Sequence, residues 1–155
     1  MNKINMETTA TTQWYQAEQL VVTKLSGKVN SNHVQQWKES LDAVFKNIPE
    51  HTSFKMLVDL HGFEAESTEV HKEYRSIIPL LLADYGYRIG YLDMFPEATV
   101  ELRNIRGIQC VAMANVHHNA DKMQDYETRF SKPHEHYFTD PDAAMNWIKE
   151  FNMKN

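Results

Sequence analysis

The chain has 155 residues, of which 42% are hydrophobic and 24% charged, the size and balance of one globular domain rather than a disordered or repetitive protein. Its formal net charge of −5 comes without any block of Lys or Arg, which argues against nucleic-acid binding, since phosphate contacts need clustered cations. A single cysteine, Cys110, excludes an internal disulfide and a cysteine-based zinc site.

The start, "MNKINMETTATTQW", lacks the apolar stretch of a signal peptide, and the longest apolar run, "IIPLLLA", is too short for the ~20 residues of a transmembrane helix. The expectation is a cytoplasmic single domain over residues 1–155, with an ordered core over about 12–151 and no transmembrane segment.

"TQWYQ" (12–16) and "LVVTKL" (20–25) read as an antiparallel strand pair, the second ending at Gly27. From an N-cap at Asn32, Val34, Trp37, Leu41, Val44, Phe45 and Ile48 recur on one helical face until Pro49. "FKMLVDL" (54–60) is a firm strand. The following "STEVHKEYRSIIPLLLADYG" predicts a helix with Val70, Tyr74, Ile77 and Leu81 inward. Pro79 predicts a kink or break near Ile78, and Gly86 a stop. "YRIGYLDMF" (87–95) reads as the next strand, and "PEATVELRNIRG" as a short helix between Pro96 and Gly107. "IQCVAMANV" (108–116) is a strand that buries Cys110 as a small hydrophobe. Asn119 then caps a helix carrying Met123, Tyr126 and Phe130. "EHYFT" is a short strand, and Asp140 and Pro141 open a last helix with Ala144, Trp147, Ile148 and Phe151 as its inward stripe.

Strands alternating with helices imply right-handed βαβ units, a mostly parallel sheet of four to five strands with an antiparallel N-terminal strand, and about five helices. Ligands of open α/β sheets bind beyond the carboxyl ends of the strands. That edge would hold Gly27, His61, Phe95 and the pair His117–His118.

Four stretches in order, "VVTKLSGKVNSNHVQQWKESL", "KMLVDLHGFE", "YRIGYLD" and "HYFTDPDAAMNWI", resemble the SpoIIAA-like group of the STAS superfamily over about residues 19–151. The resemblance implies a superhelix of βα turns and a bacterial-type regulatory or binding module without catalysis. It also implies kinship with Sec14-type lipid-binding domains. Anti-sigma factor antagonists of this superfamily carry a phosphorylatable serine in an Asp-Ser-Ser-Gly turn after the second strand. Here that place reads "EAEST". Ser67 and Thr68 are the nearest hydroxyls, and Glu64, Glu66 and Glu69 would repel a phosphate, so helix capping is their expected role.

The histidines offer the main candidate chemistry. In a continuing strand His117 and His118 point to opposite faces, and with the 87–94 strand intervening His61 lies roughly 9–10 Å away, so Asp93 or Glu64 would have to complete a metal site. His134 and His136 share a strand face but follow Lys132-Pro133 in a loop. Nucleophile-elbow, phosphate-loop and zinc-helix spacings are absent; Ser26, Lys28 and Asp59 read as turn residues, Asp59 accepting backbone N–H groups. The apolar segment 77–87, with Tyr91, Met94 and Phe95, offers a pocket between helix and sheet. Imperfect alternation in "MLVDL" and "IGYLDM" predicts a partly apolar second sheet face and a homodimer.

The sequence therefore favours a non-enzymatic binding or regulatory module that engages a protein partner, with no cofactor and no metal. The alternative is a small apolar-ligand or lipid-binding protein on the same fold. A third reading is a hydrolase or metalloenzyme at the histidine edge. The candidate binding edge comprises His61, Glu64, Ser67, Thr68, Phe95, His117 and His118.

Overall fold

A computed structural model describes residues 8–95 and 99–153. Among the described residues the strands are β1 (Thr9–Tyr15), β2 (Leu20–Val29), β3 (Ser53–Leu60), β4 (Phe63–Ala65), β5 (Gln109–His117) and β6 (Glu135–Phe138). The sheet order is β1-β2-β3-β5-β6, antiparallel between β1 and β2 and parallel thereafter, with β4 pairing the far end of β2. The α/β class, the parallel core and the antiparallel first strand match the sequence expectation.

The helices are α1 (Ser31–Asn47), α2 (Thr68–Arg75), α3 (Ile77–Asp84), α4 (Ala120–Phe130) and α5 (Pro141–Glu150). α1 starts two residues before the expected Asn32 cap. Asn30 accepts the His33 N–H, and His33 Nδ1 accepts the Asn30 N–H, each at 3.0 Å, a reciprocal capping box that Asn32 cannot offer. Val34, Trp37, Leu41 and Phe45 then bury against the sheet, and the Trp37 indole donates to the fully buried Thr23 hydroxyl at 2.7 Å. That bond lets a polar residue sit in the centre of β2 without an unmet group.

The break caused by Pro79 falls at Ser76, between α2 and α3. Proline lacks the N–H that would bond the carbonyl four residues back, that of Arg75, and α2 ends at Arg75.

The expected strand over 87–95 is not a strand. Residues 87–89 are irregular and Gly90–Met94 forms a 3-10 turn, so β5 pairs directly with β3. The alternation of Tyr87, Ile89 and Tyr91 mimics a strand because the segment dives into the core, where Tyr87 and Ile89 are buried. Its polar groups are met by a side chain instead of a ladder. The buried Glu135 carboxylate accepts the Gly90 N–H at 2.9 Å and the Tyr87 hydroxyl at 2.8 Å, and also takes the Tyr137 hydroxyl. A Cβ on Gly90 would lie 2.7 Å from the Phe130 carbonyl and 2.8 Å from a Glu135 oxygen, so only glycine permits this approach. The helix expected up to Gly107 is irregular over 99–104, with a 3-10 turn at Ile105–Gly107; Pro96 lies outside the described residues.

The two sheet faces are packed differently. One carries α1, α2 and α3 over a core that includes Trp37, Phe45, Phe54, Met56 and Leu82. The other carries α5 over small residues, with Ala112, Ala114 and Ala144 meeting Leu57 and Ile148. Beyond α5 this second face carries the exposed Thr11, Gln13 and Lys24. Tyr15, opposite Leu20 on the same face, is 42% exposed.

Candidate functional site

Losing the 87–95 strand from the sheet brings the histidine edge together. β3 and β5 run in register to Leu60 opposite His117, so the turns that follow are neighbours. Gly62 donates its N–H to His118 Nδ1 at 3.0 Å, and the His61 and His118 rings stand edge to face with centroids 5.8 Å apart. His117 and His118 do not point to opposite faces. Their rings stack at 4.3 Å, because β5 ends at His117 and the backbone turns into the Asn119 cap of α4. The wide spacing expected between His61 and the pair is therefore replaced by a continuous cluster.

In the cluster the Nδ1 atoms of His117 and His118 are committed, each accepting a backbone N–H. Asp59 accepts the His61 N–H at 3.0 Å, as expected for a turn-stabilising carboxylate. His117 Nδ1 accepts the Asn119 N–H at 3.0 Å, so the neutral ring carries its proton on Nε2, and the Gly62 bond imposes the same tautomer on His118. Among the described residues no group of three or more His, Cys, Asp or Glu is arranged to hold a metal ion. His134 and His136 have separate partners, the Tyr87 hydroxyl at 3.0 Å and Glu127 at 2.7 Å.

Behind the cluster lies a cavity of about 120 Å³ between the ends of β3 and β5, helices α2 and α4 and the 3-10 turn. α2 contributes His71, Tyr74 and Arg75, one helical turn of a single face, and α4 contributes Lys122, Met123 and Tyr126, also within one turn. Tyr91, Phe95 and Tyr137 close the remaining wall. The rings brace one another: Tyr126 lies 5.9 Å from Tyr91 and 5.6 Å from Tyr137. The buried Glu135 fixes this wall from behind by holding the Tyr137 hydroxyl and the Gly90 N–H.

Burial holds the phenol groups of Tyr74, Tyr91 and Tyr137 well above the ordinary tyrosine range, so they are neutral walls. His117 is lowered to about 4, first by burial and then by the positive fields of Lys122, His118, His61 and His71. Burial, followed by Lys122 and Arg75, also lowers His71, and burial lowers Lys122. The rim thus concentrates cations and neutral imidazoles, and no carboxylate is among the described residues that line the cavity.

Of the residues expected at the edge, His117 and Phe95 line this cavity, and Phe95 also receives the Arg75 guanidinium over its ring at 4.7 Å. His61 and His118 stand outside it as an exposed rim. Glu64 is exposed on β4, away from the cavity wall. Ser67 is the N-cap of α2, accepting the Val70 N–H at 3.2 Å, and Thr68 is that helix's first residue. The sequence reading did not single out His71 or Lys122 and took Tyr74 and Tyr126 as ordinary core. The signal was present as polar residues next to inward apolar ones, His71 beside Val70 and Lys122 beside Met123.

No helix among the described residues is long and apolar enough to cross a membrane. Compared with family models, curated proteins and solved structures, the chain matches none of them.

Proposed function

We propose that this domain is a non-catalytic binding module whose ligand is a small apolar molecule seated in the cavity between α2, α4 and the carboxyl ends of β3 and β5. The observation that carries this reading is the aromatic lining: Tyr74, Tyr91, Phe95, Tyr126 and Tyr137 line one partly open cavity at the strand edge where open α/β sheets take their ligands. Size sets the ligand class. About 120 Å³ is well below the roughly 300–1,000 Å³ of drug-sized sites and close to the roughly 150 Å³ apolar cavity that accepts benzene. One ring or a short chain fits; the acyl chains of a phospholipid do not.

The likeness to the SpoIIAA-like group supports a regulatory use of such binding, with the ligand setting the position of α2 and α4. The phosphorylation switch of that superfamily is not part of the proposal, because Ser67 is committed to its cap.

A neutral single-ring probe, benzyl alcohol, tests the reading by NMR titration. The expected outcome is saturable shifts in the signals of Met123, Ile78 and Tyr126, with Ala144 and Ile148 on the opposite face unmoved. Absence of shifts at millimolar probe, or shifts spread equally over both faces, refutes it.

A further inference from the structure

Resting on the reading of the cavity as a ligand site, we propose that the ligand is an acid: a single ring or short apolar chain packed among the tyrosines, with its carboxylate held by Lys122 and His117. Four observations carry this.

Lys122 lines the cavity half-buried; its backbone N–H donates to the Asn119 cap, but among the described residues its ammonium has no hydrogen bond and no ion pair, only the Tyr126 ring at 5.6 Å. The remaining lysines with described side chains are exposed, apart from Lys55, which is capped by carbonyls. A half-buried ammonium without a counter-charge is a standing cost that an anion removes.

His117 adds a directional donor. The Asn119 N–H occupies Nδ1, so the neutral ring carries its N–H at Nε2. The side chains at the rim are cations and imidazoles, and the Glu135 carboxylate stands behind the Tyr137 wall rather than in the lining. His71 and Arg75 from α2, His61 from the β3 turn, and His118 beside it complete the rim, with no carboxylate among the described lining residues. Such a rim attracts anions and rejects cations.

The cavity volume limits the apolar part to about one ring, so the head group cannot be a bulky one held away from the wall. One ammonium with a neutral imidazole donor matches a head of one negative charge and two acceptor oxygens, which is a carboxylate.

The test compares benzoate with its neutral isostere benzamide by calorimetry or NMR titration, on the full chain at neutral pH. Benzoate binds at least about tenfold tighter than benzamide, the difference expected from one charge-assisted hydrogen bond. Lys122→Met weakens benzoate by at least about tenfold and removes its preference over benzamide, and Lys122→Arg, which keeps the charge, retains the preference. Equal binding of the two probes by the unaltered chain, or a preference that survives Lys122→Met, overturns the carboxylate assignment and leaves the cavity reading standing. Failure of the unaltered chain to bind either probe overturns both.

Discussion

Two lysines on opposite faces of the same sheet show how differently the molecule treats a buried cation. Lys55 lies in the middle of β3 and is 3% exposed, yet its ammonium donates to the carbonyls of Lys149 at 3.1 Å and Phe151 at 3.3 Å. Those carbonyls belong to the end of α5, where unpaired C=O groups and the negative end of the helix dipole favour a cation. Burial lowers the Lys55 pKa, with Glu18 acting in the opposite direction. Lys122 sits over the other face, where burial lowers it and no carboxylate opposes that shift. One charge has been built into the fold, and the other has no ion pair among the described residues. The faces themselves differ likewise: small alanines pack under α5, whereas tyrosines on the α2 and α4 side surround a cavity.

Breaking the closed side gives the largest effect. Lys55→Met keeps the volume but strands two carbonyls at the α5 terminus, so stability falls by about 1–3 kcal/mol, measured as the midpoint of urea unfolding at unchanged slope. The α5 C-terminal amides should lose exchange protection first, since the released carbonyls of Lys149 and Phe151 belong to that last turn. A midpoint unmoved by this variant refutes the idea that Lys55 joins α5 to the sheet.

How far these features could be read from residues alone follows the same division. Elements whose signals are local were legible: the 3.6-residue stripe of Val34, Trp37 and Leu41, the Asn119 and Asp140 caps, and the apolar strands at 54–60 and 108–116. The segment at 87–95 was not, because its alternation is that of a strand, and the group that decides otherwise is Glu135, 45 residues away from Gly90. The edge was legible, since strand ends mark where parallel sheets bind. The cavity behind it was not. Its walls come from residues one helical turn apart on α2 and α4, and in sequence these look like amphipathic surface. His117 and His118 were visible as a pair, but the turn that stacks them depends on the Asn119 cap and on the approach of Gly62.

A middle-sized effect comes from pH on the open side. In the unfolded chain His117 takes a proton near its ordinary value of 6.5, whereas in the folded chain it does so only at about 4. Between those values the unfolded state binds more protons, so the contribution is fully present above about pH 6.5 and is lost as pH falls toward 4. His71, lowered by burial and by Lys122 and Arg75, acts in the same direction. His117→Asn should flatten the decline in thermal midpoint on acidification. A bound carboxylate raises the His117 pKa, so benzoate should tighten as pH falls from about 7 to 5 and take up protons on binding. The groups facing His117 are His61 from the β3 turn, His118 beside it, His71 and Arg75 from α2, and Lys122 from α4. Benzoate affinity that does not change with pH would separate His117 from the head group.

The smallest stability change is the most discriminating one. Replacing Lys122 with Met removes a half-buried charge that has no ion pair among the described residues and substitutes an apolar chain of similar reach beside Tyr126. The unfolding midpoint should therefore stay within about 0.5 kcal/mol of the starting value, or rise, in contrast to the loss at Lys55. A lysine kept for the fold would show the opposite, because its removal would strand an acceptor. Stability that is unchanged or improved together with lost benzoate preference is the signature of a residue held at a site against the interest of the fold. A loss of 1 kcal/mol or more, comparable to that of Lys55→Met, would mean that both lysines are structural and that the contrast between the two faces is one of shape alone.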